Sequence, residues 1–250
     1  MKLLLCTISR NNAKRLKSWY NQINALVTLL LEQHDVELSI YENDSNDGTK
    51  QRLSKYADHL SKRCKTTLTS TDLGTDHLVG QEGARVKNIA NARNACMEQA
   101  SDLNAFDKII FIETDVVYNP HEALQLIHHD ADIVSGFTTN AMGQFYDAWA
   151  TRKTSEETWW NHGIPTENME VWSTFNGVCV YGAKAFQEGA RFAGVNPRTG
   201  EIDCDTTVIC EVFRAMNYDN IVMLPINVRH PPTSIKERLY YFKQQLLRRT

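Results

Sequence analysis

No stretch of the 250 residues approaches the roughly 18 uninterrupted apolar residues of a membrane-spanning helix. The opening run Met1-Lys2-Leu3-Leu4-Leu5-Cys6 is too short for a signal peptide and is closed at once by Ser9-Arg10-Asn11-Asn12. A cytoplasmic protein without signal peptide or transmembrane segment is the expectation. The six cysteines, at 6, 64, 96, 179, 204 and 210, form no Cys-x-x-Cys pair, and several sit in apolar runs. That argues against a zinc site or a disulfide framework and for buried free thiols in a reducing compartment. With 12 glycines and 6 prolines there is no Gly- or Pro-rich linker to divide the chain. Gly-x-x-x-x-Gly-Lys, Gly-x-Gly-x-x-Gly and Gly-x-Ser-x-Gly are all missing, which disfavours P-loop NTPases, dinucleotide dehydrogenases and α/β-hydrolases. A net charge of −3 and a pI near 6.2 leave no broad basic face for nucleic acid. At 42% hydrophobic and 23% charged residues, the composition excludes a disordered chain.

What is present is alternation. Leu3–Ile8 is a continuous apolar run, suited to a strand buried on both faces. Asn12–Gln33 carries Leu16, Trp19, Ile23, Leu26, Val27 and Leu30 at helical spacing. Further strands are predicted at Val36–Tyr41, Thr66–Ser70, Lys108–Ile112 and Asp132–Phe137, and helices at Thr49–Leu60 and Val86–Ala100. Strands separated by helices of this length imply a mostly parallel, doubly wound α/β sheet, which binds ligands outside the carboxyl ends of its strands. Residues 138–182 differ, being rich in aromatics and amides. A helix over Thr206–Met216, a strand over Ile221–Val228 that Pro225 makes an edge or broken strand, and a basic amphipathic helix over Thr233–Arg249 complete the reading. One domain is expected, with a nucleotide-binding half (1–137), an aromatic acceptor-side half (138–232) and the C-terminal helix (233–250).

The strand ends concentrate chemistry. Thr7, Ser9 and Arg10 follow the first strand, Glu42 ends the second, and Glu113-Thr114-Asp115 follows Lys108–Ile112. Side chains two apart on an extended backbone point the same way, so Glu113 and Asp115 can face one hard cation such as Mg²⁺ or Mn²⁺; an acidic turn solvating a strand end is equally consistent. A carboxylate at Glu42 can accept from a nucleobase or ribose, whereas Asn46-Asp47-Gly48 reads as turn and cap chemistry. Arg93 lies among Ala90, Ala92 and Ala95, where helices pack closely, and a fixed guanidinium there can neutralise a diphosphate. Asp203-Cys204-Asp205-Thr206-Thr207 opens a helix, as a cap or as a base near an acceptor hydroxyl. His230, after a strand and before Pro231-Pro232, is a candidate third metal ligand.

In this order the elements resemble the GT-A fold of glycosyltransferases that use a nucleotide-diphospho sugar and a divalent metal. More narrowly, the chain resembles the fungal capsule-associated α-1,3-mannosyltransferase family. The matching pieces are Tyr41-Glu42-Asn43-Asp44-Ser45-Asn46-Asp47-Gly48-Thr49, Ile89-Ala90-Asn91-Ala92-Arg93-Asn94, Phe145-Tyr146-Asp147-Ala148-Trp149-Ala150-Thr151-Arg152, Phe175-Asn176-Gly177, Cys204-Asp205 and Val228-Arg229-His230. The resemblance implies a GT-A (Rossmann-like) sheet flanked by helices and a metal-dependent hexosyltransferase of polysaccharide biosynthesis. Donor contacts fall on Thr7, Ser9, Arg10, Glu42, Arg93 and Thr114, and Mn²⁺ or Mg²⁺ ligands on Glu113, Asp115 and His230. Sugar or acceptor contacts fall on Asp147, Trp149, Arg152, Asn176 and Gly177, and the catalytic carboxylate is Asp205, as base for the acceptor hydroxyl or as a positioning group. Two departures stand out: the metal element is Glu-Thr-Asp instead of Asp-x-Asp, and Asp205 stands where that family tends to have Glu. The expected partners are a UDP- or GDP-sugar, a glycan or glycolipid acceptor, and an anionic membrane surface or second copy at the C-terminal helix. The alternatives are a sugar-phosphate nucleotidyltransferase, disfavoured by the glycine-free Ser9-Arg10-Asn11-Asn12, and a non-catalytic carbohydrate-binding protein, which needs no carboxylates at the strand ends.

Overall fold

A computed structural model describes residues 1–76, 78 and 83–232. The apolar opening run becomes β1 (Lys2–Ser9), buried along nearly its whole length because both faces are covered. It leads into α1 (Leu16–Leu30), whose Leu16, Trp19, Ile23, Leu26, Val27 and Leu30 form the expected buried stripe. β2 (Asp35–Asn43), α2 (Thr49–Leu60), β3 (Lys65–Thr71), α3 (Gly83–Glu98) and β4 (Lys108–Ile112) continue the alternation. α4 (Pro120–His128) and β5 (Ile133–Thr139) follow. The last third contributes β6 (Met169–Glu170), β7 (Val178–Gly182), α5 (Ala183–Gln187), α6 (Asp205–Ala215) and β8 (Ile221–Arg229).

The eight strands make one sheet in the order β3-β2-β1-β4-β7-β5-β8-β6. β1 pairs parallel with β2 and β4, β2 with β3, and β5 with β8. β7 runs antiparallel between β4 and β5, so the two parallel blocks are joined through one reversed strand. That strand lies in the segment whose aromatics dominate the sequence pattern, and α4 lies in a segment that carries no cap or period the sequence reading used. The ladder between β5 and β8 shifts register between Ser135 and Phe137, opposite the stretch that holds Pro225, which donates no hydrogen bond. Contrary to the edge or broken strand its proline suggests, β8 runs unbroken through Pro225 and lies one strand in from the edge, where the two-residue β6 pairs with it; only its ladder to β5 is disturbed.

Two apolar clusters cover the two faces of the sheet. One joins α1, α2 and α4 to the sheet; the other is aromatic, with Phe111, Tyr181, Phe186, Phe192 and Phe213 in edge-to-face contact around β4 and β7. Burying each such ring contributes about 1.5–3 kcal/mol, which fixes the sheet beneath the strand ends. All six cysteines are buried free thiols, as expected. Among the described residues no helix is long and apolar enough to cross a membrane. The basic helix expected over Thr233–Arg249 lies outside the described residues.

Candidate active site at the carboxyl edge of the sheet

Parallel register brings Ser9, Glu42 and Ser70 side by side at the ends of β1, β2 and β3. Glu42 is fully buried. One carboxylate oxygen accepts from the Ser45 backbone N–H at 2.8 Å, and the other from the Ser70 hydroxyl. Asp44 accepts from the backbone N–H groups of Leu73 (2.7 Å) and Gly74 (2.8 Å) and from the Thr75 hydroxyl (2.5 Å). Burial opposes its ionisation, but these bonds outweigh it and hold the carboxyl well below the usual range. Asp47 accepts from the N–H groups of Ala13 and Thr49, both at 3.1 Å, and from the Thr49 hydroxyl, tying the entry to α1 against the start of α2. Arg10 reaches Thr75 and lies 3.8 Å from Asp44. Thr7 donates to the Ile112 carbonyl, and Thr114 accepts from the Asn12 amide at 2.8 Å.

The second group gathers around β4. Arg93 is 3% exposed. Its Nε donates to Asp205 at 2.7 Å and one terminal nitrogen to Glu113 at 2.9 Å, while its plane lies 4.2 Å over the Phe175 ring. Burial disfavours its charge, yet Asp205 and Glu113 outweigh that and raise its pKa. Partial burial and the neighbouring Asp115 carboxylate push Glu113 up to about 7, against the pull of Arg93. Asp205 begins α6 without capping it, because the cap position is Cys204 and the Asp205 carboxylate turns to Arg93 instead. The sequence reading placed Arg93 toward donor phosphates; the structure seats it as a bridge between the β4 acid and the α6 acid.

Asp115 Oδ2 lies 3.1 Å from His230 Nε2. Burial raises the Asp115 pKa but His230 outweighs it and lowers it; burial lowers the His230 pKa but Asp115 outweighs it and raises it. Each group thus favours the charged form of the other. Tyr146 stacks on the imidazole with centroids 4.1 Å apart, a contact the sequence signals only through the Phe145-Tyr146-Asp147 piece. Glu113 is held on Arg93, and among the described residues no group of three or more metal-ligating side chains is poised to hold an ion.

On the acceptor side, Asp147 accepts from the Asn176 N–H at 3.0 Å, and burial raises its pKa. Asn176 is fully buried and its amide is spent internally, accepting from Thr138 and donating to Thr174 and Thr151. Asn176 and Gly177 both have positive φ (56° and 72°), and a Cβ on Gly177 would lie 2.6 Å from Val116, so this turn admits little else. Arg152 holds Asp203 with bonds of 2.6 and 2.8 Å. With Trp149, Glu156 and Arg198 they line a polar cleft of about 290 Å³. Asp203 is held further by Asn196, which together with Trp172 and Arg198 also reaches the buried Glu211. Sequence reasoning missed this network because its members are scattered over sixty residues without a motif.

The fit to a bound group rests on polar atoms left without a partner. Among the described residues, the buried polar atoms without a partner include Ser9 Oγ and Arg10 Nε at the end of β1 and His230 Nδ1 after β8, all at this edge. A hard divalent ion suits the Asp115 carboxylate and the His230 imidazole as oxygen and nitrogen donors.

The sequence matches the family described as Cryptococcal mannosyltransferase 1 over residues 2–213. The chain belongs to that family. No curated protein matches the sequence. Among solved structures, the mannosyltransferase PcManGT from Pyrobaculum calidifontis, determined with GDP-Man and Mn²⁺, is similar at 13% identity and a TM-score of 0.55. The match covers 98% of this chain and 64% of that one, so the chain spans a little under two-thirds of that relative's length. The glucosyl-3-phosphoglycerate synthase of Mycobacterium tuberculosis is more distant, at 12% identity and a TM-score of 0.47, covering 98% of this chain and 76% of that one. The PcManGT likeness shows the GT-A fold expected from the sequence.

Proposed function

We propose that this family member transfers a hexose from a nucleotide-diphospho sugar, with GDP-mannose the first donor to test, to a hydroxyl of a glycan or glycolipid. The observation that carries the reading is the Asp115–His230 pair, with its unpaired imidazole nitrogen, beside the Glu113–Arg93–Asp205 bridge at the carboxyl edge of the sheet. Family membership and the GDP-Man and Mn²⁺ of PcManGT support the choice of donor and metal.

Asp115 and His230 would hold a divalent ion, which supplies Lewis-acid stabilisation of the departing diphosphate. The chain's own residues do the rest. Arg10, with an unpaired Nε, and the buried Ser9 hydroxyl present donors to the nucleotide at the ends of β1 and β2. Glu42 and Asp44 shape that loop from beneath through the bonds they accept. Arg93 orients the Asp205 carboxylate through Oδ2, and Oδ1, which accepts only the weak Cys204 thiol among the described residues, is the oxygen for the sugar or the acceptor hydroxyl. In an inverting transfer Asp205 takes the acceptor proton; in a retaining one it positions the sugar, whose centre becomes oxocarbenium-like in both. Trp149 and the Arg152–Asp203 pair present a flat face and fixed hydrogen-bonding groups to a sugar ring.

The test is transfer and slow donor hydrolysis with GDP- and UDP-sugars, each with and without Mn²⁺, with NMR of the product anomer. Metal-dependent turnover of one donor class supports the reading. Sugar binding indifferent to metal and nucleotide would favour the carbohydrate-binding alternative.

A further inference from the structure

A second concavity lies at the same sheet edge. It is an apolar groove of about 460 Å³ between the first half of α3 and the segment 192–202. Gly83, Ala84 and Ala90 form one wall, and Phe192, Val195 and Ile202 the other. The approach is close: a Cβ on Gly83 would lie 2.5 Å from Ile202 Cδ1. Val195 and Ile202 pair across a small hairpin and are 53% and 60% exposed, an unusual investment of β-branched side chains at a surface. The far wall is fixed to α3 by Asn94, whose amide donates to the Phe192 carbonyl and accepts from the Phe192 N–H, each at 2.9 Å.

The groove adjoins the reaction centre. The Phe192 ring lies under the Arg93 guanidinium at 5.8 Å, and Ile202 precedes Asp205 by three residues. Its polar atoms are few: the Lys87 amine and the Asn91 amide sit on the α3 wall with no hydrogen bond or ion pair among the described residues. A concave, mostly apolar site of a few hundred Å³ with a few free polar groups has the size and character of a small-molecule site.

We infer that this groove receives a hydrocarbon chain of the acceptor, placing the hydroxyl attached to it beside Asp205, with Lys87 and Asn91 meeting the polar junction. The inference rests on the transferase reading above and deepens it by naming an amphiphilic acceptor.

The test compares octyl α-mannoside, below its micellar concentration, with methyl α-mannoside by saturation-transfer NMR on the full chain. The octyl compound is expected to bind at least tenfold tighter, with saturation concentrated on its chain methylenes. Two variants challenge the site: Ala84→Phe fills it and Ile202→Asp makes one wall polar. Both are expected to bring octyl binding to the methyl level, with melting transitions confirming that each is folded. Equal binding of the two compounds by the wild type, or retained chain binding in both folded variants, overturns the inference. A dimer that dissociates in Ile202→Asp would assign the face to a second copy and overturn it as well. GDP-mannose hydrolysis by the wild type, which needs no acceptor, reports separately on the transferase reading: chain indifference with hydrolysis intact overturns the groove alone, and absent hydrolysis overturns the reading beneath it.

Discussion

Two acidic groups share one sheet edge, and their hydrogen bonds separate them. The group at the end of β2 is Glu42, Asp44 and Asp47, whose oxygens are met mainly by backbone N–H groups and hydroxyls of Ser45, Ser70, Leu73, Gly74, Ala13, Thr49 and Thr75, with the Asn43 amide and, at 3.8 Å, Arg10 also beside Asp44. Such bonds are short in sequence or fixed by register, and they shape a loop. The group after β4 is Glu113, Asp115 and Asp205, each met by a charged side chain, Arg93 or His230. A charged partner can be replaced by a charged ligand, whereas a backbone N–H that loses its acceptor is left buried and unpaired. The same residue types in similar positions thus serve shape in one place and chemistry in the other.

The largest expected effect comes from removing the bridge. Arg93→Met leaves the buried Asp205 and the partly buried Glu113 without a counter-charge, and a loss of about 3–5 kcal/mol is expected in urea unfolding. An unchanged midpoint would mean that the β4 group is not held by its charges. Asp115→Asn keeps an oxygen for His230 but removes the charge. Turnover should fall about 10²–10³-fold, while loss of the partly exposed pair with His230 costs about 1 kcal/mol of stability. The β2 group should behave in the opposite sense. Glu42→Ala strands the Ser45 N–H and the Ser70 hydroxyl and is expected to cost about 1–3 kcal/mol in the same unfolding experiment, with the surviving folded enzyme still binding donor.

The smallest effect is a pH signature. Asp44 is held below its ordinary value of 3.8, so its contribution to stability is complete above that value and is lost as pH falls through the lowered one. The stability difference between the wild type and Asp44→Asn should therefore stay constant from neutral pH to about pH 4 and close only below it. A difference that fades near neutrality would sharpen the comparison against us, because Asp44 would then not be saturated.

Much of the fold was legible. Continuous apolar runs gave β1 and β4, and helical spacing gave α1, because burial on two faces and on one stripe leave distinct patterns. β7 was not, since an antiparallel insertion between parallel strands depends on pairing across seventy residues and leaves no local mark. The strand ends pointed to Asp115 and His230, and the start of α6 to Asp205, which the structure brings to one edge of the sheet through the Arg93 and His230 contacts. Their roles were less legible: whether Glu42 faces a ligand or Ser45, and whether Arg93 faces phosphate or Asp205, is decided by hydrogen-bond partners distant in sequence. The Arg152–Asp203–Glu211 network escaped for the same reason.

The division between the two acidic groups is tested most directly by titrating GDP, with and without Mn²⁺, into wild type, Asp115→Asn and Glu42→Gln, with thermal stability as readout. Ligand that binds only the folded state raises its melting temperature by mass action. The expected result is a Mn²⁺-dependent GDP shift in wild type, kept by Glu42→Gln from a lower starting temperature and lost by Asp115→Asn from one nearer that of the wild type. A Glu42→Gln protein of wild-type stability that no longer binds GDP, beside an Asp115→Asn protein that still does, would contradict the account.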